Sequence, residues 1–492
     1  MELGSIVDFL ENKVILITGA TGFLAKIFLE KILRVQPNVK KLYLLVRAAN
    51  AESALQRFKT EAVAKDLFKL LKEIHGTNLQ TYLSKKVTMV AGDITFEDLG
   101  VQEASLKEEM WRDIDVVVNI AATTNFNERY DAALALNTFG AKNVLKFANK
   151  CVNMKLLLHV STAYVSGIKP GIIAETRYNW GESLNGTSGL DINEERKIVE
   201  DKLKELKSDH NIDEKSIKLA MKDLGMQRAN LYGWPNTYVF TKALGEMIIG
   251  HLKGDMPVVI LRPGIVTSTY KEPFPGWVEG IRTIDGLALG YGKGKLTCFL
   301  GDPQVVPDVV PADMVVNAML AAIVAHAKET GSESIYHVGS SVSNPMEFTV
   351  FQRCGYQYFS EHPLINKMGK PVLVGEVNIL NSMDSFRRYM TLRYLFPLKV
   401  LAFVNLIFCQ AFVVTYKNLT GKVNLVLRLV DLYGPYLFTK CFYDDLNTEK
   451  LRMAVRKSGD QENVFYFDPR IINWEDYFLH IHLPGLRQRE FK

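Results

Sequence analysis

Cysteine is scarce and unordered in this chain of 492 residues. Its five members, Cys151, Cys298, Cys354, Cys409 and Cys441, are odd in number and scattered, and no two share C-x-x-C spacing. That argues against a disulfide framework and a cysteine zinc site, and for a reducing compartment. Long basic runs interleaved with aromatics are missing, so nucleic acid is not an expected partner. The formal net charge of +5 is a weak excess, compatible with anionic ligands or a membrane surface. The opening "MELGSIVDFLENK" lacks the basic stretch and apolar run of a secretory signal, and is too acidic for an organelle transit peptide. The closing "QREFK" is not a retention, peroxisomal or prenylation signal. No metal is expected. His159 reads as a strand residue beside the core. His480 and His482 read as a pair on one strand-like face, with no carboxylate or cysteine set to complete a site.

What is present is a folded composition, 48% hydrophobic and 23% charged, in a chain long enough for two or three domains. Short apolar, β-branched runs alternate with helical patterns: "KVILITG", "KKLYLLVRA", "KVTMVAGDI", "IDVVVNIAA", "LLLHVSTAYV", then "MPVVILRPG" and "SIYHVGSS". Strands alternating with helices predict an α/β fold with a doubly wound parallel sheet, of Rossmann type. Residues 190–230 are charge-rich and predict a solvated helical insertion or lid. After about residue 350 the composition turns rich in Phe, Tyr and Leu. The expected division is therefore 1–350 for a nucleotide-binding catalytic domain and 351–492 for a mainly helical second domain. Within the latter, 391–416 is the most apolar stretch. It is long enough to cross a bilayer but carries Pro397, Lys399, Asn405 and Gln410. A spanning helix, a helix lying on the membrane and a core helix all stay open, with the second favoured.

The nucleotide site is read from "TGATGFLA", at the first strand–helix junction. Gly19 allows a tight turn, Gly22 lets the backbone approach a pyrophosphate, and Ala25 lets helix and strand pack closely. The helix start supplies N–H donors and the positive end of its dipole. Thr18, Thr21, Phe23 and Leu24 complete this turn. At the end of the second strand, where an acid would bind a ribose hydroxyl, stands Arg47. It could pair with a 2′-phosphate, which favours NADPH and hence reduction. Asp93, followed by Ile94, ends the third strand and could accept from an adenine amino group. Ala121 and Ala122 end the fourth, where small residues admit a cofactor.

"YVFTK" places Tyr238 and Lys242 four apart on one helix face, where an ammonium lowers the pKa of a phenol. On those five residues alone, a packed tyrosine and a solvated lysine would be the simpler reading. With Thr162 at the end of the fifth strand, however, the three resemble the Ser/Thr–Tyr–Lys triad of the extended short-chain dehydrogenase/reductase superfamily. The resemblance implies that Tyr238 donates a proton, Lys242 tunes it and bonds the nicotinamide ribose, and Thr162 holds the carbonyl oxygen. Arg262, Pro263 and Gly264, in "LRPG", would close over the nicotinamide. The stretches "GWPNTYVFTKALGE", "RPGIVTSTYKEPFPGWVEG", "VPADMVVNAM" and "NTEKLR…FYFDPRIINWEDYF" resemble plant alcohol-forming fatty acyl-CoA reductases along the whole chain. That family implies reduction of a long-chain acyl-CoA by two NADPH to a primary alcohol and CoA, as used in wax and related surface lipids. With an insoluble substrate and product and no targeting peptide visible, the cytosolic face of the endoplasmic reticulum membrane is the expected place. A sterol or phenolic ketone reductase and a non-catalytic NADP-binding regulator are the competing readings. Chain-length preference and oligomeric state stay open.

Overall fold

A computed structural model describes residues 3–209, 212–296, 298–458 and 464–490. Residues 1–2 and 491–492, on which the terminal readings partly rest, lie outside the described residues.

All seven anticipated strands form one sheet: β1 Val14–Thr18, β2 Lys41–Val46, β3 Val87–Ala91, β4 Val116–Asn119, β5 Leu156–Val160, β6 Val258–Pro263 and β7 Glu333–Val338. They run parallel in the order β3-β2-β1-β4-β5-β6-β7. Every residue of β1, β4, β5 and β6 is buried. Such strands need helices on both faces, because neither face can meet water, and this is why they read as unbroken apolar runs. The order reverses at β1/β4. The crevice outside the carboxyl ends of the strands at such a switch is where doubly wound folds bind ligands.

Helix α1, Phe23–Val35, follows β1. The charge-rich insertion forms two helices, α2 Ile192–Ser208 and α3 Glu214–Leu231, each started by an aspartate cap, Asp191 and Asp213. They are not wholly solvated. Buried Glu195 on α2 accepts from Arg228 on α3 and from the Tyr130 hydroxyl, at 2.7 Å for the latter. Next come α4, Thr237–Leu252, and α5, Ala312–His326.

The apolar stretch is not one helix. Helix α6, Met383–Ile407, ends there, and α7, Val413–Phe438, begins after a turn. Cys409 and Gln410 take positive φ in that turn. Asn405 holds it, its carbonyl accepting from the Gln410 N–H at 2.7 Å and its side chain from the Phe412 N–H at 2.8 Å. A polar residue that looked costly in a membrane span is therefore the fastener of a helical hairpin. Past the hairpin the chain returns to the first domain. Cys441–Tyr443 pairs with Gly171–Ile173, and Tyr477 bonds Thr267 and Ser268. Leu451, Phe465, Phe467, Ile472 and Phe478 join the core cluster that contains α1 and α5. A boundary drawn at residue 350 thus divides the chain but not its main core.

Candidate active site

The turn after β1 is built as its residues require. Gly19 has φ +68°, and a Cβ there would meet the Ala121 backbone at 2.9 Å. Gly22 donates to the Gly19 carbonyl at 2.8 Å and caps α1 without a side chain. Ala25, in the first turn of α1, is fully buried. This leaves the first N–H groups of α1 facing the crevice, a ready site for an anion. Phe23 is occupied in packing, stacked on Trp277 at 5.2 Å with the Arg282 guanidinium over its ring. Thr21 bonds Glu61, and Leu24 is half-buried.

Arg47 ends β2 exposed, and no partner for its guanidinium is found among the described residues. Arg57 stands next to it, donating to the Arg47 carbonyl at 2.6 Å while paired with Glu61. Sequence reasoning missed Arg57 because ten residues and a helix start separate the two. Asp93 is turned partly inward, one oxygen taken by the Thr95 N–H at 2.9 Å. Ile94 is a core residue, close-packed over Gly140. The Ala121 N–H and its neighbour from Ile120 donate to the Thr18 hydroxyl, each at 3.1 Å, and Ala122 is half-buried.

Asn236 starts α4, accepting from the Val239 N–H at 3.1 Å, and so aims the helix's first turns at the carboxyl ends of β5 and β6. Tyr238, Thr162 and Lys242 are all buried there, at 9%, 5% and 1% exposure. Tyr238 bonds Thr162. The Thr162 hydroxyl also reaches the Pro263 carbonyl at 3.4 Å. The Lys242 ammonium nitrogen lies 2.7 Å from the Val160 carbonyl and 3.2 Å from His159 Nε2. Burial pushes Tyr238 up to about 12, with the Thr162 bond opposing, and pulls Lys242 down to about 8, with Glu246 opposing. The expectation that Lys242 lowers the phenol is therefore corrected: withdrawal from water sets the direction, and only the Thr162 bond opposes it.

Arg262 is a second correction. Its guanidinium does not cover a nicotinamide site. It is fully buried, paired with Glu246 on α4 at 2.6 Å, and reaches His337 at 3.4 Å. "LRPG" contributes backbone instead. Gly264 is pinned where a Cβ would meet the Asp308 carbonyl at 2.4 Å. The His480/His482 reading is a third. The segment Tyr477–His482 is a wide helical turn, not a strand, so the two rings diverge: His480 is exposed, while His482 is buried beside Asp285.

An aromatic wall closes the site, and no sequence motif announced it. Phe126 stacks on Tyr238 at 5.4 Å. Tyr433 and Tyr436 of α7 pack on Phe126 at 5.1 and 6.1 Å, and the Tyr436 hydroxyl accepts from the Asn236 side chain at 3.0 Å. The second helix of the hairpin thus touches the cap of α4 directly and reaches its tyrosine through Phe126. A surface cavity of about 590 Å³ lies elsewhere, beside the amino end of β7, lined by Glu175, Arg177, Lys253 and Glu333. It has no part in this constellation.

Comparison with known proteins agrees with the geometry. A family described as "Male sterility protein", through its NAD-binding part, matches residues 17–319. A second family of that description matches residues 393–492. The chain is 57% identical to "Alcohol-forming fatty acyl-CoA reductase" of Simmondsia chinensis, over 99% of this chain and 98% of that one. It is 51% identical to "Fatty acyl-CoA reductase 1" of Arabidopsis thaliana, over 98% of each. Among solved structures, the terminal R domain of the myxalamid PKS-NRPS pathway superposes with a TM-score of 0.59 at 17% identity, over 98% of this chain and 92% of that one. The last likeness is one of fold.

Proposed function

The chain belongs to the fatty acyl-CoA reductase family, and from that premise we propose that it reduces a long-chain or very-long-chain acyl-CoA to the primary alcohol and free CoA, using two NADPH. The observation that carries the reading is the buried Thr162–Tyr238–Lys242 set at the carboxyl edge of the sheet, roofed by Phe126 with rings from the hairpin packed behind it.

A nicotinamide cofactor fits the residues present: a glycine turn that a Cβ would fill, free N–H groups at the start of α1, and an unpaired arginine among the described residues at the end of β2. Gly19, Gly22 and the α1 start would hold the pyrophosphate, and Arg47 with Arg57 the 2′-phosphate that distinguishes NADPH. When bound, the cofactor supplies the hydride to the carbonyl carbon. Tyr238 gives its phenolic proton to the carbonyl oxygen, and a phenol held near 12 is fully protonated at neutral pH. Thr162 bonds the same oxygen as charge builds on it. The thioester adduct expels CoA as its C–S bond breaks. The aldehyde left is the better hydride acceptor, so a second reduction follows at the same residues. The aromatic roof keeps water from this step.

The membrane supplies the reason for the hairpin. Leu392, Phe396, Phe403, Leu406, Ile407, Phe408 and Val414 are between 59% and 73% exposed. Lys399 is exposed among them. Such a surface suits the cytosolic face of the endoplasmic reticulum, with the rings immersed at the lipid boundary and Lys399 at its surface. There an insoluble substrate and product need not cross water, and the alcohol enters wax or related surface lipids.

The test is purified protein with NADPH and acyl-CoAs of graded length, alcohol and aldehyde both quantified. Two NADPH consumed per alcohol, with little free aldehyde, is expected. Aldehyde as the sole product, or no turnover of any acyl-CoA, would overturn the proposal.

A further inference from the structure

Three strands place polar side chains in one row through the middle of an apolar sheet. Thr18 on β1 is in register with Asn119 on β4, and Asn119 with His159 on β5. The next positions outward are Leu45 on β2 and Ile260 on β6. Thr18, Asn119 and His159 are each 1% exposed or less. Buried polar groups at this depth must satisfy one another, and these do so in only one sense.

The Thr18 oxygen accepts from the Ile120 and Ala121 N–H groups, at 3.1 Å each, which uses both lone pairs. Its hydrogen must therefore be donated, and it goes to the Asn119 carbonyl oxygen at 2.7 Å. That fixes the amide, whose NH₂ faces His159 Nδ1 at 3.0 Å. Nδ1 is then an acceptor. Burial, with Lys242 adding to it, holds the ring neutral, far below its usual titration. A neutral ring that accepts at Nδ1 carries its hydrogen on Nε2. Nε2 faces the Lys242 nitrogen at 3.2 Å. An ammonium there would set donor against donor, whereas a free amine accepts.

We propose that the Thr18–Asn119–His159 row makes His159 a positioning residue that stabilises the deprotonated form of Lys242, so that this lysine gives up its proton more readily than an ordinary ammonium. The role rests on the reading of Tyr238 as proton donor. As an ammonium Lys242 donates to Val160 but meets the Nε2–H of His159; as an amine it accepts from that Nε2–H and still donates to Val160. Lys242's descent to about 8 runs in the same direction. The other charged groups here are few. Glu246, one turn along α4, favours the ammonium, but it is largely spent on Arg262 of β6.

Two variants test this. Asn119→Asp offers only acceptors to Nδ1, which reverses the tautomer and turns Nε2 into an acceptor for an ammonium. His159→Gln can turn its carbonyl oxygen to Lys242. The tautomer is read by ¹⁵N NMR of selectively labelled histidine in the full-length protein, without substrate. We expect Nε2–H in the wild type and Nδ1–H in Asn119→Asp. A wild-type ring protonated on Nδ1 would overturn the proposal, whatever the enzyme reduces. The alkaline limb of kcat/KM for acyl-CoA is expected to move upward by about one pH unit in both variants. Thermal melts show whether each variant has folded. A merely structural His159 would lower turnover and leave that limb where it was, and an unmoved limb in two folded variants likewise overturns the assignment. If the wild type turns over no acyl-CoA at all, the functional reading fails while the tautomer result stands.

Discussion

Helices α5 and α6 are both apolar, and the fold treats them in opposite ways. Nearly every side chain of α5 is buried, its polar Asp313 and Asn317 included. It lies against α1, β6 and the helix Leu446–Lys457. Its alanines at 312, 318, 321 and 322 let neighbours approach from all round. On α6, among the residues whose burial is described, only Phe386, Met390 and Asn405 are buried, and the large side chains point outward. Composition alone does not separate such helices. Residue size does: small residues permit close packing by protein, whereas a surface of Phe, Leu and Ile needs a fluid partner that fits itself around them. The contrast extends to function. On the proposed reading, chemistry belongs to the sheet and attachment to α6.

If that division holds, each half can be broken alone. The largest effect is expected from replacing Phe403, Ile407 and Phe412 together with serine. Each side chain loses about 1.5–3 kcal/mol of burial in lipid. The protein should move from microsomes to the soluble fraction on flotation, while NADPH binding by fluorescence is retained. A wild type already soluble, paired with a variant that unfolds, would return α6 to the core helices. Next comes Tyr238→Phe. Removing the proton donor should cut alcohol formation by about 10²–10⁴-fold with cofactor affinity and flotation unchanged. Near-normal turnover would take the proton-donor role from Tyr238. The two helices can also be compared directly. Leu320→Ala on α5 should cost about 2–5 kcal/mol by opening a cavity in the core. Leu406→Ala on α6, 73% exposed, should stay within about 0.5 kcal/mol in detergent-free denaturation. Equal losses would mean that α6 is packed in solution.

The sheet was legible almost strand for strand, because buried parallel strands announce themselves as short β-branched runs ended by glycine or a polar residue. The glycine turn and the Tyr–Lys pair were legible for a related reason: each is local in sequence, within one turn or one helix face. What escaped was assembled across distance. Asn119 and His159 look like ordinary strand residues until register places them side by side, and only then does the histidine face Lys242. Phe126 sits in a loop, and its partners Tyr433 and Tyr436 come some three hundred residues later. Arg262 misled because position near the crevice was legible while side-chain direction was not. A buried arginine turns to whatever carboxylate is near, and Glu246 lies one helix away. Asn405 misled in a similar way: counted as a penalty in a span, it is the hydrogen-bonding cap of a turn.

The smallest effect expected is also the one that most narrowly tests the sheet's half of the division. Arg47 is exposed at the carboxyl end of β2 and no partner for it is found among the described residues, whereas Arg57 beside it is already paired with Glu61. An unpaired guanidinium can give its full fork to a phosphate, while a paired one must share. Arg47→Asp removes the free cation, sets a carboxylate against a 2′-phosphate and offers an acceptor to a 2′-hydroxyl. A charge-assisted bond of this kind is worth about 1.5–3 kcal/mol, so the NADPH-over-NADH ratio of kcat/KM should fall by about 10- to 100-fold. Arg57→Ala should move it less, and in the same direction. Microsomal attachment should not change in either, since neither residue is near α6. A ratio unmoved by Arg47→Asp but collapsed by Arg57→Ala would transfer the phosphate contact to Arg57, and would mean that the Glu61 pair opens when NADPH binds.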